Sequence, residues 1–204
     1  MVFGDKFVAD DIVAHELTHG VTEYTSGLIY RDESGAINEA FSDMWGEWVD
    51  LTNGIGDDTE GVRWLQGEDS GIGAFRSMSN PPEFGCPDRY LSEDFYHGTG
   101  PWDNGGVHYN SGVGNKLCYL LTDGDTFNNE TVNGLGSTAA ADLMYECQNI
   151  LGTGADYYDF YFTLTQAAVN LDWSQADREN LKTACRAVEI IPPPSPVTQL
   201  TAIP

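Results

Sequence analysis

Residues 12–27 read IVAHELTHGVTEYTSG, and the pair His15 and His19 constrains this chain more than any other feature. Apolar residues at Val8, Ile12, Val13, Leu17, Val21 and Tyr24 approximate helical spacing. Asp10 and Asp11 suit the positive end of a helix that starts there. On a helix, positions i and i+4 share a face. Two imidazoles so placed can hold one tetrahedral metal ion through ring nitrogens. Glu16 is turned about 100° away, near such an ion but off the ligand face, where a general base belongs. The plainer alternative is a surface helix with two solvated histidines. That alternative asks nothing of the rest of the chain, whereas a metal site asks for a third ligand and for groups that orient the first two.

Both requests can be met on a second helix, read over 34–51. Its apolar face is Ala36, Ile37, Ala40, Phe41, Met44, Trp45 and Trp48, with Ser34 as the expected N-cap. Glu39 is the expected third ligand. Asp43, one turn on, is placed to accept a hydrogen bond from the far nitrogen of a ligand histidine, which fixes its tautomer and raises its basicity. A solvated acidic stripe would look the same in isolation, but these two acids stand on an otherwise apolar helix.

Beyond this helix the pattern dissolves. From 52 to 107 Gly, Pro, Asp and Ser dominate, a stretch too long for an ordinary connection and expected to be functional or ion-organised. Helical patterning returns at 110–121, 137–151, 157–170 and 174–188. The ending IIPPPSPVTQLTAIP, residues 190–204, reads as a proline-rich linker toward a possible further domain. The expected fold is mainly α with one long irregular, ion-binding insert.

Charge narrows the partners. A formal net charge of -23 over 204 residues offers nothing to neutralise a phosphate backbone, which argues against nucleic acid. It also disfavours an anionic membrane surface, and no run is long and apolar enough to span a bilayer. The start, MVFGDKFVADD, carries no signal-peptide pattern. Cys86, Cys118, Cys147 and Cys185 form no CxxC pair, so a four-cysteine zinc site is not expected. Disulfides and buried free thiols both remain open.

The stretch DIVAHELTHGVTEYTSGLIY followed by SGAINEAFSD resembles the core of the thermolysin family of zinc metallopeptidases. The resemblance implies one catalytic zinc on His15, His19 and Glu39, with Glu16 as the base and Asp43 orienting His15. The motif DNGGVHYNSG resembles the family's oxyanion motif, which implies His108 as the oxyanion-stabilising histidine and Asp103 as its orienting carboxylate. Tyr30 resembles the second oxyanion donor, and Arg76 the arginine that holds a substrate carbonyl. Ile12 and Phe75 match positions lining the pocket for the residue after the scissile bond, which implies cleavage of a peptide or protein before bulky apolar residues. Asp11, Asp50, Glu68 and the carbonyl of Leu65 match a calcium site. Arg63 stands where an aspartate is expected, which implies one calcium rather than two; Glu47 matches no ligand.

The resemblance further implies a fold, a compartment and missing partners. Residues 1–189 read as the C-terminal helical lobe of a catalytic domain, with an N-terminal β-rich lobe and a prosegment expected elsewhere. Such a fragment is expected to have little activity alone and to leave the apolar face of its first helix partly exposed. Secretion is the expected localisation. Cys118 and Cys185, on helices expected to be adjacent, are the expected disulfide. Two other readings carry the same ligand set: a zinc aminopeptidase, and an inactive extracellular module stabilised by zinc and calcium.

Overall fold

The computed structural model describes residues 3–98 and 100–194, and its elements pack around helix α2 (Asp32–Asn53). Every residue from Ser34 to Met44 is buried, so this helix is covered on all sides. It begins two residues earlier than the sequence suggests. Ser34 is not the N-cap; it lies within the first turn, and its hydroxyl donates to the carbonyls of Ile29 and Arg31 at 2.7 and 2.9 Å. Arg31 takes the cap position without a side-chain bond, and Asp32 and Glu33 favour the helix dipole instead.

Helix α1 (Asp10–Tyr24) crosses α2 closely. A Cβ on Gly46 would stand 2.7 Å from the carbonyl oxygen of Asp11, so the approach requires glycine there. The buried face of α1 is mostly polar: Asp11, Ile12, His15, Thr18 and Thr22. Apart from Ile12, its large apolar residues toward the C-terminal end face out, with Leu17, Val21 and Tyr24 at 56%, 41% and 88% exposure. Leu17 and Val21 join Ala14, Thr18, Trp45, Val49 and Tyr145 around an open apolar groove of about 310 Å3. The expected exposed face of the first helix is therefore present.

The other side of α2 carries the main core. Helices α4 (Gly112–Thr122), α5 (Ser137–Ile150), α6 (Tyr157–Asn170) and α7 (Gln175–Ala187) bury Leu117, Leu121, Leu143, Met144, Phe160, Leu164 and Leu181 completely. Local chemistry explains two starts. Asp156 and Asp159 form a reciprocal capping box on α6, and the hydroxyl of Ser174 accepts from the backbone N–H of Asp177 on α7. Cys118 and Cys185 both lie in this core as free thiols, so the expected disulfide does not form. The Cys118 thiol sits 4.0 Å from the Thr122 hydroxyl on its own helix, and burial holds the Cys118 and Cys185 thiols protonated.

The described residues also form two short antiparallel ladders. Within the irregular insert, β1 (Leu65–Gln66) pairs with β2 (Arg76–Ser77). After α4, β3 (Gly124–Phe127) pairs with β4 (Glu130–Asn133) around Asn128 and Asn129, both left-handed at φ 51° and 64°. That is the turn geometry that asparagines tolerate and that suits a tight hairpin. The core includes fully buried Ile190, while residues 195–204 of the expected linker lie outside the described residues.

Candidate active site

Helix crossing at Gly46 sets α1 across α2 so that two i, i+4 pairs meet: His15 and His19 from one helix, Glu39 and Asp43 from the other. Nitrogen atoms of His15 and His19 and an oxygen of Glu39 all lie within 4.8 Å of one another. The imidazole tautomers follow from their outer partners. His15 Nδ1 is 2.9 Å from Asp43 Oδ1, and His19 Nδ1 is 2.8 Å from Asn38 Oδ1. Both partners are acceptors, so both Nδ1 atoms carry hydrogen. The Ser42 hydroxyl lies 3.1 Å from His19 Nδ1 as well.

The inner nitrogens then face each other. His15 Nε2 and His19 Nε2 are 3.1 Å apart, and each is 3.4 Å from a Glu39 oxygen. Two neutral imidazoles in this arrangement would oppose their lone pairs. Only a positive charge between them, a proton or a metal ion, makes it stable. Burial works against a charged His15, but its hydrogen bond to Asp43 and the nearby Glu39 carboxylate outweigh burial and push its pKa up to about 9. Burial likewise opposes charge on Glu39, yet His15, Arg76 and His108 outweigh it and hold Glu39 ionised, down at about 2. The Glu39 side chain is completely buried, and its Oε2 accepts no hydrogen bond from the described residues. A buried anionic oxygen beside two converging imidazole nitrogens fits a divalent cation, and two histidines with one carboxylate fit zinc with a coordination position left open.

Asp43 is fully buried and ionised. Burial opposes that charge, and Arg76 and His15 overcome it. Arg76 Nη2 donates to Asp43 Oδ1 at 2.8 Å and lies against the Phe75 ring, while its Nε has no partner among the described residues. Arg76 thus supports the ligand shell from behind, a link not foreseen from sequence. Ile12 is buried on α1, and Phe75 is half-buried under Arg76.

The open side of the site carries Glu16, Tyr30 and His108. Glu16 is exposed and makes no side-chain hydrogen bond among the described residues. The Tyr30 hydroxyl donates to Glu39 and lies 3.2 Å from His108 Nε2. Burial first, then the charge of Glu39, raises the pKa of the Tyr30 phenol far above its ordinary value, so it stays a donor. His108 belongs to α3 (Asp103–Asn110), whose first four residues are all left-handed. This run folds Asp103 back onto His108: Oδ1 faces Nδ1 at 2.5 Å, and Oδ2 accepts the His108 backbone N–H at 2.9 Å. Gly105 and Gly106 permit it at φ 93° and 81°. His97 is an exposed residue whose ring lies tilted against Phe95.

The acidic insert differs in detail from the expected ligand set. Carboxylate oxygens of Asp10, Asp50 and Asp69 lie within 4.8 Å of one another, and of these only Asp50 belongs to the expected set. The two Asp11 oxygens accept the N–H groups of Ile12 and Gly67. Glu68 adjoins Asp50, and its buried Oε2 has no hydrogen-bond partner among the described residues. The half-buried Leu65 pairs across the β1–β2 ladder with Ser77. Arg63 turns away to a two-pronged pair with Asp123 at 2.8 and 2.9 Å, joined by the Trp64 indole N–H at 2.7 Å. Buried Glu47 accepts from the Trp64 backbone and from Gln66.

A family model described as thermolysin metallopeptidase, alpha-helical domain, matches residues 26–190. A zinc metalloproteinase of Renibacterium salmoninarum is 52% identical over 161 residues, which are 77% of this chain and 29% of that protein. Thermolysin of Alicyclobacillus acidocaldarius subsp. acidocaldarius is 41% identical over 187 residues, 88% of this chain and 33% of that protein. The chain thus spans a third or less of the length of these relatives. Among solved structures, the precursor of protealysin, a metalloproteinase from Serratia proteamaculans, superposes with a TM-score of 0.68 at 27% identity. That match covers 92% of this chain and 61% of the other.

Proposed function

Because the chain belongs to the thermolysin family of metallopeptidases, we propose that it carries the zinc centre and catalytic groups of a secreted endopeptidase. The observation that supports this most directly is the convergence of His15 Nε2, His19 Nε2 and the buried, ionised Glu39. His15, His19 and Glu39 would hold zinc, with Asp43 and Asn38 fixing the two imidazoles. Zinc, when bound, supplies Lewis acidity to water and to the scissile carbonyl.

The remaining steps belong to side chains of this protein. Glu16 takes a proton from the attacking water and later delivers it to the leaving amine. His108 Nε2 and the Tyr30 hydroxyl donate to the oxyanion of the tetrahedral intermediate. Asp103 keeps His108 aimed. Ile12 and Phe75 favour a bulky apolar residue after the scissile bond, where side-chain burial is worth roughly 1.5–3 kcal/mol. Glu16 and the Asp103–His108 pair favour hydrolysis over a purely structural metal site, since holding zinc requires none of them. Among the described residues no helix is long and apolar enough to cross a membrane.

Elemental analysis and peptide cleavage test this reading together. The expected results are one zinc per chain, and cleavage of N-blocked peptides by the intact protein before Leu or Phe. Cleavage confined to peptides with a free N-terminus would favour the aminopeptidase alternative.

We also propose one structural calcium at the acidic insert, with Asp50 at its centre and Asp11, Glu68 and the Leu65 carbonyl as the carried-over ligands; Asp10 and Asp69 supply further oxygens. Burial, then repulsion from Glu68 and Asp10, pushes Asp50 up to about 9. Burial also pushes Glu68 to about 7 and Glu47 to about 8. Acids whose pKa is raised by folding bind more protons folded than unfolded, so stability falls as pH rises from about 4 toward 9. With calcium chelated, Tm is expected to fall from pH 5 to pH 9. Added calcium is expected to flatten that fall, because the cation replaces the protons. Identical Tm profiles with and without calcium would refute the site.

A further inference from the structure

Behind the candidate ligands lies a third layer, from α4. Asn115 is 1% exposed, and its Nδ2 donates to Asp43 Oδ2 at 2.7 Å. It reaches Asp43 because α4 packs tightly on α2: a Cβ on Gly114 would stand 2.5 Å from the Cβ of Ala40. The two oxygens of Asp43 are thereby divided. Oδ1 receives His15 Nδ1 and Arg76 Nη2, at 2.9 and 2.8 Å, and the only donor to Oδ2 among the described residues is Asn115.

Asn115 leaves its own Oδ1 buried, with no partner among the described residues. Burying a polar atom without a partner is unfavourable, and an apolar side chain of the same volume would avoid it. The residue is therefore poorly explained as packing. Its amide orientation is also fixed, since a flipped amide would set Oδ1 against the Asp43 carboxylate. Resting on the zinc reading above, we propose that Asn115 is a positioning residue for the metal centre. Its amide holds Asp43 Oδ2, so that Oδ1 stays aimed at His15 Nδ1 and the His15 Nε2 lone pair stays aimed at the metal. Without Asn115, the Oδ2 of a fully buried carboxylate loses its donor. Asp43 then rotates to share its two existing donors, and His15 loosens.

Zinc affinity of the purified chain, read by competition with a chelator, tests this. Asn115→Leu keeps the branched outline of the side chain, with bulkier methyl groups, and removes the donor, and it is expected to weaken zinc 10–100-fold, the range for loss of an outer partner. Asn115→Ala opens space for a water that can donate to Oδ2, so its loss is expected to be smaller. A residue that merely fills space gives the opposite ranking, because Ala leaves a cavity and Leu does not. Leu117→Ala, on the same helix and in the core, is expected to lower Tm while leaving zinc affinity unchanged. In an Asp43→Ala background, Asn115→Leu is expected to add less than about twofold, since its effect runs through Asp43. Wild-type affinity in Asn115→Leu, or Ala weaker than Leu, would overturn the proposal. Absence of zinc from the wild-type chain would instead overturn the zinc reading itself, before any variant is compared.

Discussion

Glu16→Gln is expected to lower kcat for peptide hydrolysis by the intact protein by about 10²–10⁴-fold, the range attributed to one positioned acid–base group, and to leave zinc content unchanged. Glutamine keeps the shape of the side chain and cannot take a proton from water. The structure separates the two roles cleanly. His15 is buried against Asp43 and Glu39, while Glu16, the next residue, points to the open side with no partner among the described residues. Nothing in the metal shell depends on it, so the variant should change turnover without changing affinity for the ion. Both quantities are to be measured on one preparation, kcat on an N-blocked peptide and zinc by elemental analysis. Unchanged kcat would remove Glu16 from the mechanism. Loss of zinc along with activity would make it part of the metal shell.

The same geometry explains what the sequence conveys and what it hides. The first helix was legible as a helix, but hydropathy alone would point its apolar residues inward. The structure does the reverse, burying Asp11, His15 and Thr22 and exposing Leu17 and Tyr24. Polar groups are buried here because each finds a partner: Asp11 the Gly67 N–H, His15 the Asp43 carboxylate, Thr22 the Gln148 amide. Pairwise satisfaction across distant segments is not a periodic property, so no window along the chain reports it. Asp43 was legible because it stands one turn from Glu39. Arg76 and Asn115 were not legible as its other donors, because they arrive from β2 and α4 through packing.

Short elements were hidden for a different reason. The β3–β4 hairpin has four residues per strand, too few for alternation to show. Its one readable signal was the pair Asn128 and Asn129, residues that tolerate the left-handed turn. The disulfide expectation failed on geometry of the same kind. Cys118 and Cys185 share a core, yet they pack there as separate buried thiols, and shared burial says nothing about whether two side chains point at each other. Caps are local, yet the one cap expected, Ser34, lies inside the first turn of α2, and the cap at Ser174 ahead of α7 was not among the expectations.

Glu39→Ala is expected to weaken zinc by more than about 100-fold, beyond what loss of an outer partner costs, and to leave the chain folded. Glu39 is the only anion among the three candidate ligands, and its carboxylate is the point where His15, His19, His108, Tyr30 and Arg76 converge. Removing it leaves two imidazoles whose inner nitrogens oppose each other at 3.1 Å, with no negatively charged ligand to balance a dication. Arg76 keeps its pair with Asp43, so no buried cation is stranded and the fold has no strong reason to fail. Glu39→Gln separates charge from shape: it keeps the volume and an acceptor oxygen, and its affinity is expected to fall between wild type and Ala. Chelator competition gives the affinities, and thermal melting of the metal-free proteins gives the control. If Glu39→Ala binds zinc as tightly as wild type, the third ligand lies elsewhere. The convergence of imidazoles, phenol and guanidinium on Glu39 would then need a structural explanation, and the melting data would supply its size.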